Sequence, residues 1–246
     1  IGELSRSFSM LLGRLNTYTS FLETVPRMLR HEILNPVNTI SMSLQNMGLS
    51  QDSGKAGDIS TATNAIEQLQ LIVSSLTEAA NIDEALIQDE THNYDIAALL
   101  NEYVSNSQRK HGNARLLYHG VASGVQVEGN DIRMVQLLDK IKDNAIDFAL
   151  PETAIVFELD SSRDDRAVIS IKNEGESIPQ QQLDMLFQGM VSQRSVKTGT
   201  PHLGIGLYVA HKIAQFHQGQ LIIANRRDKQ GVEVVLVLPT INNDGR

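Results

Sequence analysis

The first ninety residues keep a helical period and the rest abandon it, and this change constrains the fold more than any other feature of the chain. Apolar or aromatic residues stand at Leu4, Phe8, Leu11, Leu15, Tyr18, Leu22, Val25 and Leu29. Their spacings alternate four and three, which is the seam of a coiled coil, and a helix with such a seam needs a partner. Beyond Pro36 the stripe resumes at Val37, Ile40, Leu44 and Met47. The turn-forming run G-L-S-Q-D-S-G-K-A-G-D, Gly48 to Asp58, separates it from a second stripe at Ile59, Ala62, Ile66, Leu69, Val73, Leu76 and Ala80. This reads as an antiparallel helical hairpin. Two helices alone bury too little apolar surface, so dimerisation into a four-helix bundle is the simplest solution.

After residue 90 the pattern is mixed. Asp95 is placed to cap a helix through Leu99, Leu100 and Val104, and short strands are expected at Leu116 and Val125. Asp131 is expected to cap a helix with apolar positions Ile132, Val135, Leu138, Ile141 and Ala145. Alternating or β-branched runs predict strands over 154–160, 167–172, 220–225 and 232–238, with a further helix from Ile205 to His217. Helices with mostly non-crossover strands imply a layered α/β sandwich rather than a doubly wound sheet.

Composition removes several classes of function. A net charge of −8 opposes a non-specific nucleic-acid or anionic-membrane surface, and the absence of cysteine excludes thiolate nucleophiles and cysteine–zinc sites. No run approaches the roughly 18 apolar residues of a membrane span.

Residues 27 to 37, R-M-L-R-H-E-I-L-N-P-V, place His31 and Glu32 one turn before Pro36, where a kink is expected between Leu34 and Val37. At about 100° per residue, His31 lies about 200° from the seam residue Leu29, on a face open to solvent. Alone, the pair reads first as a solvated charge pair at a helix bend. Four later stretches have the same ambiguity. D-N-A, Asp143 to Ala145, offers an amide to a cation or phosphate, or is ordinary helix surface. K-N-E-G-E-S-I-P, Lys172 to Pro179, admits a planar ligand against Asn173 and Gly175, or makes a turn. G-T-P-H-L-G-I-G-L, Gly199 to Leu207, opens a helix with glycines that let an anion approach exposed amides. It is not a P-loop, since no Gly-Lys-Ser/Thr follows. L-F-Q-G-M-V-S-Q-R, Leu186 to Arg194, is either a lid or a connector.

The order of these stretches is more specific than any one of them. H-E-I-L-N-P, then D-x-R-x-x-Q and D-N-A, then N-E-G-E-S-I-P, L-F and G-I-G-L-Y-V-A-H-K-I-A-Q-F-H-Q-G resemble the H, N, G1, F and G2 boxes of a sensor histidine kinase over nearly the whole chain. I-G-E-L-S-R-S-F, Ile1 to Phe8, is similar to the end of a HAMP relay module. The resemblance implies the end of a HAMP or signalling helix over 1–27, a dimerisation and phosphotransfer hairpin over 28–90, a catalytic ATP-binding α/β sandwich over 91–240, and a tail over 241–246. It also implies the cytoplasmic portion of a bacterial inner-membrane receptor, whose membrane segments lie outside this chain.

The resemblance further implies a homodimer that autophosphorylates His31 from Mg-ATP and passes the phosphoryl group to an aspartate of a response-regulator receiver domain. Glu32 would serve as general base or orient the imidazole, and Asn35 would position water for dephosphorylation of the partner, making the protein bifunctional. Asn144 would ligate Mg2+, Asn173 and Gly175 would line the adenine pocket, and Gly204, Gly206 and Leu207 would lie at the phosphates. Leu186 and Phe187 would anchor a lid over Val191 to His202. The chain departs from the family pattern where Lys140 replaces asparagine, Asp147 replaces lysine, Asn173 replaces aspartate, and Ser177 and His202 replace glycine. Those departures keep open a degenerate kinase acting mainly as phosphatase or scaffold. A rival of another class is an ATP-gated dimerisation module or ATPase; such proteins lack the His31 hairpin, and Lys140 stands where they need a water-activating glutamate.

Overall fold

The computed structural model describes residues 33–48, 52–110, 115–163, 165–183 and 205–241. The chain divides into two compact units that part inside a helix, between Ala80 and Asn81. The Leu4 to Leu29 seam and the HAMP-like segment lie outside the described residues.

The first unit contributes α1, helical over 33–48, and most of α2, Asp52–Gln88. The expected bend does not interrupt α1, which is helical on both sides of a buried Pro36. The hydroxyls of Thr39 and Ser41 donate to the carbonyls of Asn35 (3.0 Å) and Val37 (2.9 Å), four residues back. The connector is shorter than the turn expected over Gly48–Asp58, because α2 already starts at Asp52 and takes in Gly57. No atom lies within 4 Å of where a Gly57 side chain would stand, so this glycine makes no close turn, and the helix absorbs it at a cost of about 1 kcal/mol.

The buried face of α2 in this unit is Ala62, Ala65, Ile72 and Ala79, at spacings of three and seven. Of the expected stripe, Ala62 is on that face, whereas Ile59, Ile66 and Val73 are 54%, 46% and 56% exposed. Three alanines and Ile72 form the covered seam. Ile59, Ile66 and Val73 repeat every seven positions on the neighbouring face and remain uncovered in the single chain.

The second unit is a mixed five-stranded sheet with helices over one face and a small ribbon. Its elements are β1, His92–Asp95; α3, Ile96–Lys110; β2, Arg115–His119; β3, Gln126–Gly129; α4, Asp131–Phe148; β4, Ala154–Arg163; β5, Arg166–Glu174; α5, Gln180–Leu183; α6, Ile205–Phe216; β6, Gln220–Asn225; and β7, Gly231–Pro239. The sheet order is β2-β4-β5-β7-β6, parallel between β2 and β4 and antiparallel elsewhere, while β1 and β3 form a separate antiparallel pair. This is the expected layered sandwich.

Period-two burial decides which face carries the helices. Ile155, Phe157 and Leu159 of β4, Ala167, Ile169 and Ile171 of β5, and Val234, Leu236 and Leu238 of β7 point inward. They meet Met134, Leu137, Leu138 and Ile141 of α4 and Val209, Ala210 and Ile213 of α6 in a core that is almost wholly excluded from water. The Tyr103 ring of α3 meets Phe157 edge-on at 6.1 Å.

Asp95 caps α3 as expected, accepting from the Ala97 and Ala98 amides at 3.0 and 3.2 Å. The cap of α4 is one residue earlier than expected. Asn130 has extended backbone and accepts from the Arg133 amide at 3.1 Å, whereas Asp131 is the first helical residue and its carboxylate accepts from the Ile132 amide and faces the His92 ring instead of a later turn of the helix. Ile132, expected on the inner face, is 75% exposed, and Met134 takes the inward position.

Candidate nucleotide-binding site

Two helices and one strand end define the site. Gly206 stands in the first turn of α6, and a β-carbon there would lie 3.7 Å from Asn144 Nδ2 and 3.8 Å from Lys140 Cδ. The start of α6 therefore runs alongside the face of α4 that carries Lys140 and Asn144. Asn144 donates from Nδ2 to the Lys140 carbonyl at 2.9 Å, which leaves Oδ1 as the atom able to take a cation or a polar hydrogen. Leu207 is half-buried beside Gly206.

The end of β5 is tied to the end of the same α4. Gly175 forms an isolated antiparallel bridge with Ala149, and the Leu150 amide donates to the Glu174 carbonyl at 2.7 Å. A β-carbon on Gly175 would stand 2.2 Å from the Phe148 carbonyl, so only glycine permits this approach. Asn173 continues the inward alternation of β5, is 5% exposed, and its Nδ2 has no hydrogen-bond partner among the described residues. That nitrogen is 3.2 Å from where a Gly175 side chain would begin.

Beyond Gly175, a residue that sequence reasoning missed holds the outgoing chain. Asn225, at the end of β6, accepts from the Ile178 amide at 2.7 Å and donates to the Ile178 carbonyl at 2.8 Å. An asparagine before a polar turn gives no sequence signal for this, since turn chemistry explains it equally well. His217 was missed too. Its Nδ1 lies 2.8 Å from the Ile213 carbonyl, and its Nε2 receives the Asn130 amide at 3.1 Å, joining the end of α6 to the cap of α4. Burial holds its pKa below the ordinary value, so the imidazole is neutral at neutral pH.

A third missed group is Lys142, which falls four residues after Leu138 on the buried face of α4. Its ammonium, on a side chain only 7% exposed, pairs with Asp139 at 2.8 Å and Asp143 at 3.4 Å and lies 5.6 Å from the Tyr103 ring. Asp139 also accepts from the Tyr103 hydroxyl at 2.7 Å. The end of α2 joins the same scaffold through Asp83 to Lys212 at 2.9 Å and Asp89 to Arg133.

The structure thus brings Lys140, Asn144 and Gly206 together, and places Asn173 beside Gly175, with α4 common to both groups. Asn35 belongs to the other unit and is exposed on α1. His31, Glu32, Leu186, Phe187, Gly204 and the lid residues Val191 to His202 lie outside the described residues. Among the described residues no cluster of three or more His, Asp or Glu side chains forms a metal site, and no helix is long and apolar enough to cross a membrane.

Residues 129–242 match the family of histidine kinase-, DNA gyrase B- and HSP90-like ATPases, and this part of the chain is a domain of that class. Among the proteins this chain is similar to are sensor proteins and histidine kinases. The sensor protein ChvG of Agrobacterium fabrum is 22% identical over 242 residues, covering 94% of this chain and 41% of the relative. The structure of histidine kinase ThkA in complex with response regulator protein TrrA superposes with a TM-score of 0.70 at 20% identity, over 93% of this chain and 64% of that one. The Acinetobacter baumannii histidine kinase AdeS gives 0.63 at 18% identity, over 86% and 98%. These structures share the fold of a helical region followed by a mixed-sheet ATPase domain. The chain spans 41%, 44% and 64% of the lengths of three curated relatives, so each relative is substantially longer than the part matched here.

Proposed function

We propose that this chain is the phosphoacceptor and catalytic portion of a two-component sensor kinase, in which His31 attacks the γ-phosphate of ATP and hands the phosphoryl group to an aspartate of a response regulator. The observation that carries this reading is the joint approach of Gly206, Lys140 and Asn144, with a buried amide at Asn173, unpaired among the described residues, beside Gly175, on a domain of the kinase-type ATPase class. The twelve-residue α6 directs its first amides toward the region where the triphosphate would lie. Lys140 supplies positive charge there. Phosphoryl transfer depends mainly on positioning and charge neutralisation, which these groups provide.

The donor set fits Mg-ATP in a particular way. Asn144 Oδ1 is one neutral oxygen, and among the described residues no carboxylate cluster accompanies it, so the ion would arrive coordinated mainly by phosphates and water. When bound, Mg2+ neutralises phosphate charge; Asn144 orients it.

In the helical unit, Ile59, Ile66 and Val73 with Leu34, Val37 and Leu44 leave apolar faces open on both helices. A second copy of the chain covers them in a four-helix bundle, the proposed homodimer. Glu32 orients or deprotonates the His31 imidazole. Asn35, exposed on α1, positions water for dephosphorylation of the response regulator. The chain is the cytoplasmic portion of a longer inner-membrane sensor.

Incubation with labelled ATP and magnesium should yield an acid-labile, base-stable phosphoprotein that is absent in His31→Gln. Label persisting in that variant refutes the assignment of His31. A second reading, a degenerate kinase working as phosphatase or scaffold, is favoured by the neutral Asn173 and by Lys140 against Asn144. It requires ATP binding without label, and an ATPase would release phosphate without label.

A further inference from the structure

We propose that the base pocket accepts 6-oxopurine nucleoside triphosphates with an affinity comparable to that for ATP, and that Asn173 is the residue that removes the discrimination. This rests on the nucleotide-site reading above and concerns the edge of the base rather than the phosphates.

Three observations carry it. The inward positions of β5 are Ala167, Ile169, Ile171 and Asn173, so one polar side chain interrupts an otherwise apolar row at the strand end, where it is 5% exposed. Its Nδ2 makes no hydrogen bond among the described residues, and a buried donor left unpaired costs about 1–3 kcal/mol. The neighbouring residue that would cover it is Gly175, whose β-carbon would stand 3.2 Å from that nitrogen. The nitrogen is therefore a buried donor without a partner among the described residues, and the group that satisfies it is an acceptor.

The two purine classes differ in this property at position 6. Adenine presents an amino group there, whereas guanine and hypoxanthine present a carbonyl oxygen. A carboxylate at residue 173 would offer only acceptors; it would bind the amino group and repel the carbonyl. A carboxamide offers both kinds of group. Nδ2 donates to a 6-oxo group, and a half-turn of the same amide presents Oδ1 to a 6-amino group. A site built around one polar pairing rejects the opposite one by factors on the order of 10⁴. With a neutral amide that rejection collapses, because each base finds a partner and neither meets a buried charge.

The test is calorimetric titration of the 246-residue chain with the magnesium complexes of ATP, ITP, GTP and UTP. ITP isolates the 6-oxo group, since it lacks the 2-amino group of GTP. ITP should bind within about tenfold of ATP, and Asn173→Asp should shift the ratio toward ATP by about tenfold or more. ITP binding more than about a hundredfold weaker than ATP overturns the proposal, as does an unchanged ratio in the variant or UTP binding as tightly as ITP. Should the variant fail to fold, the wild-type ratio decides alone. ATP binding without ITP binding rejects this inference and leaves the nucleotide site standing. Binding of neither rejects both.

Discussion

Gly206 and Gly175 are both expected to line the nucleotide site, one at the phosphates and one at the adenine, yet the structure separates them sharply. A methyl group on Gly206 meets its nearest atoms at 3.7, 3.8 and 3.9 Å, ordinary van der Waals contact with Asn144 and Lys140. Gly206→Ala therefore introduces no clash. It also removes backbone freedom from the unfolded chain, so it should raise stability by about 0.5–1 kcal/mol. A methyl on Gly175 meets the Phe148 carbonyl at 2.2 Å and must move backbone, which costs about 1–3 kcal/mol or more. If the space beside Gly206 belongs to the nucleotide, Gly206→Ala fills it and should weaken ATP binding by about tenfold or more in a protein at least as stable as the parent. Gly175→Ala should lose stability first. Urea denaturation paired with calorimetric ATP titration separates the two effects. Unchanged ATP affinity in a stable Gly206→Ala variant would refute the placement of the phosphates at the start of α6.

Two further outcomes follow from the scaffold. Asn225→Leu removes both bonds to Ile178, each contributing about 0.5–1.5 kcal/mol, and should raise the Kd for ATP because the segment after Gly175 must then be ordered on binding; unchanged stability and affinity would make the clamp incidental. His217 is held neutral by burial, so the unfolded chain takes up its proton first as pH falls through 6.5. Stability should decline below that pH and level off once the folded imidazole is protonated. His211, also held low by burial and by Lys212, acts in the same direction, so His217→Gln should flatten the decline only in part; a variant as pH-sensitive as the parent rejects the role given to His217.

The period of the sequence made the architecture legible, and it failed where one short polar side chain competes with another. Asp131 and Asn130 are both capping residues by type, and only the backbone angles select Asn130. Ile59, Ile66 and Val73 keep a helical repeat, but the period cannot say which face of a helix meets its own chain and which a second copy. The seam of three alanines and Ile72 one step away takes the internal role. Gly48 to Asp58 looked like a turn because glycine usually marks one, yet Gly57 is simply carried in α2.

The same distinction bears on the site. Asn144, Asn173, Gly175 and Gly206 were nominated by position in ordered motifs, which is a linear property. Asn225, His217 and Lys142 act through contacts across 47, 87 and 3 residues. Of these only Lys142 left a trace, a charge at an inward helical position with an acid three residues before it. Its burial forces the pairing with Asp139, since an ammonium held away from water without a counter-charge costs several kcal/mol. The nominated residues are short or lack side chains altogether, and such residues take their position from the backbone that carries them. Asn225 fixes the chain leaving Gly175, and His217 joins the end of α6 to the cap of α4. The long-range partners thus determine where the motif residues stand, and a single sequence gives their identity without their geometry.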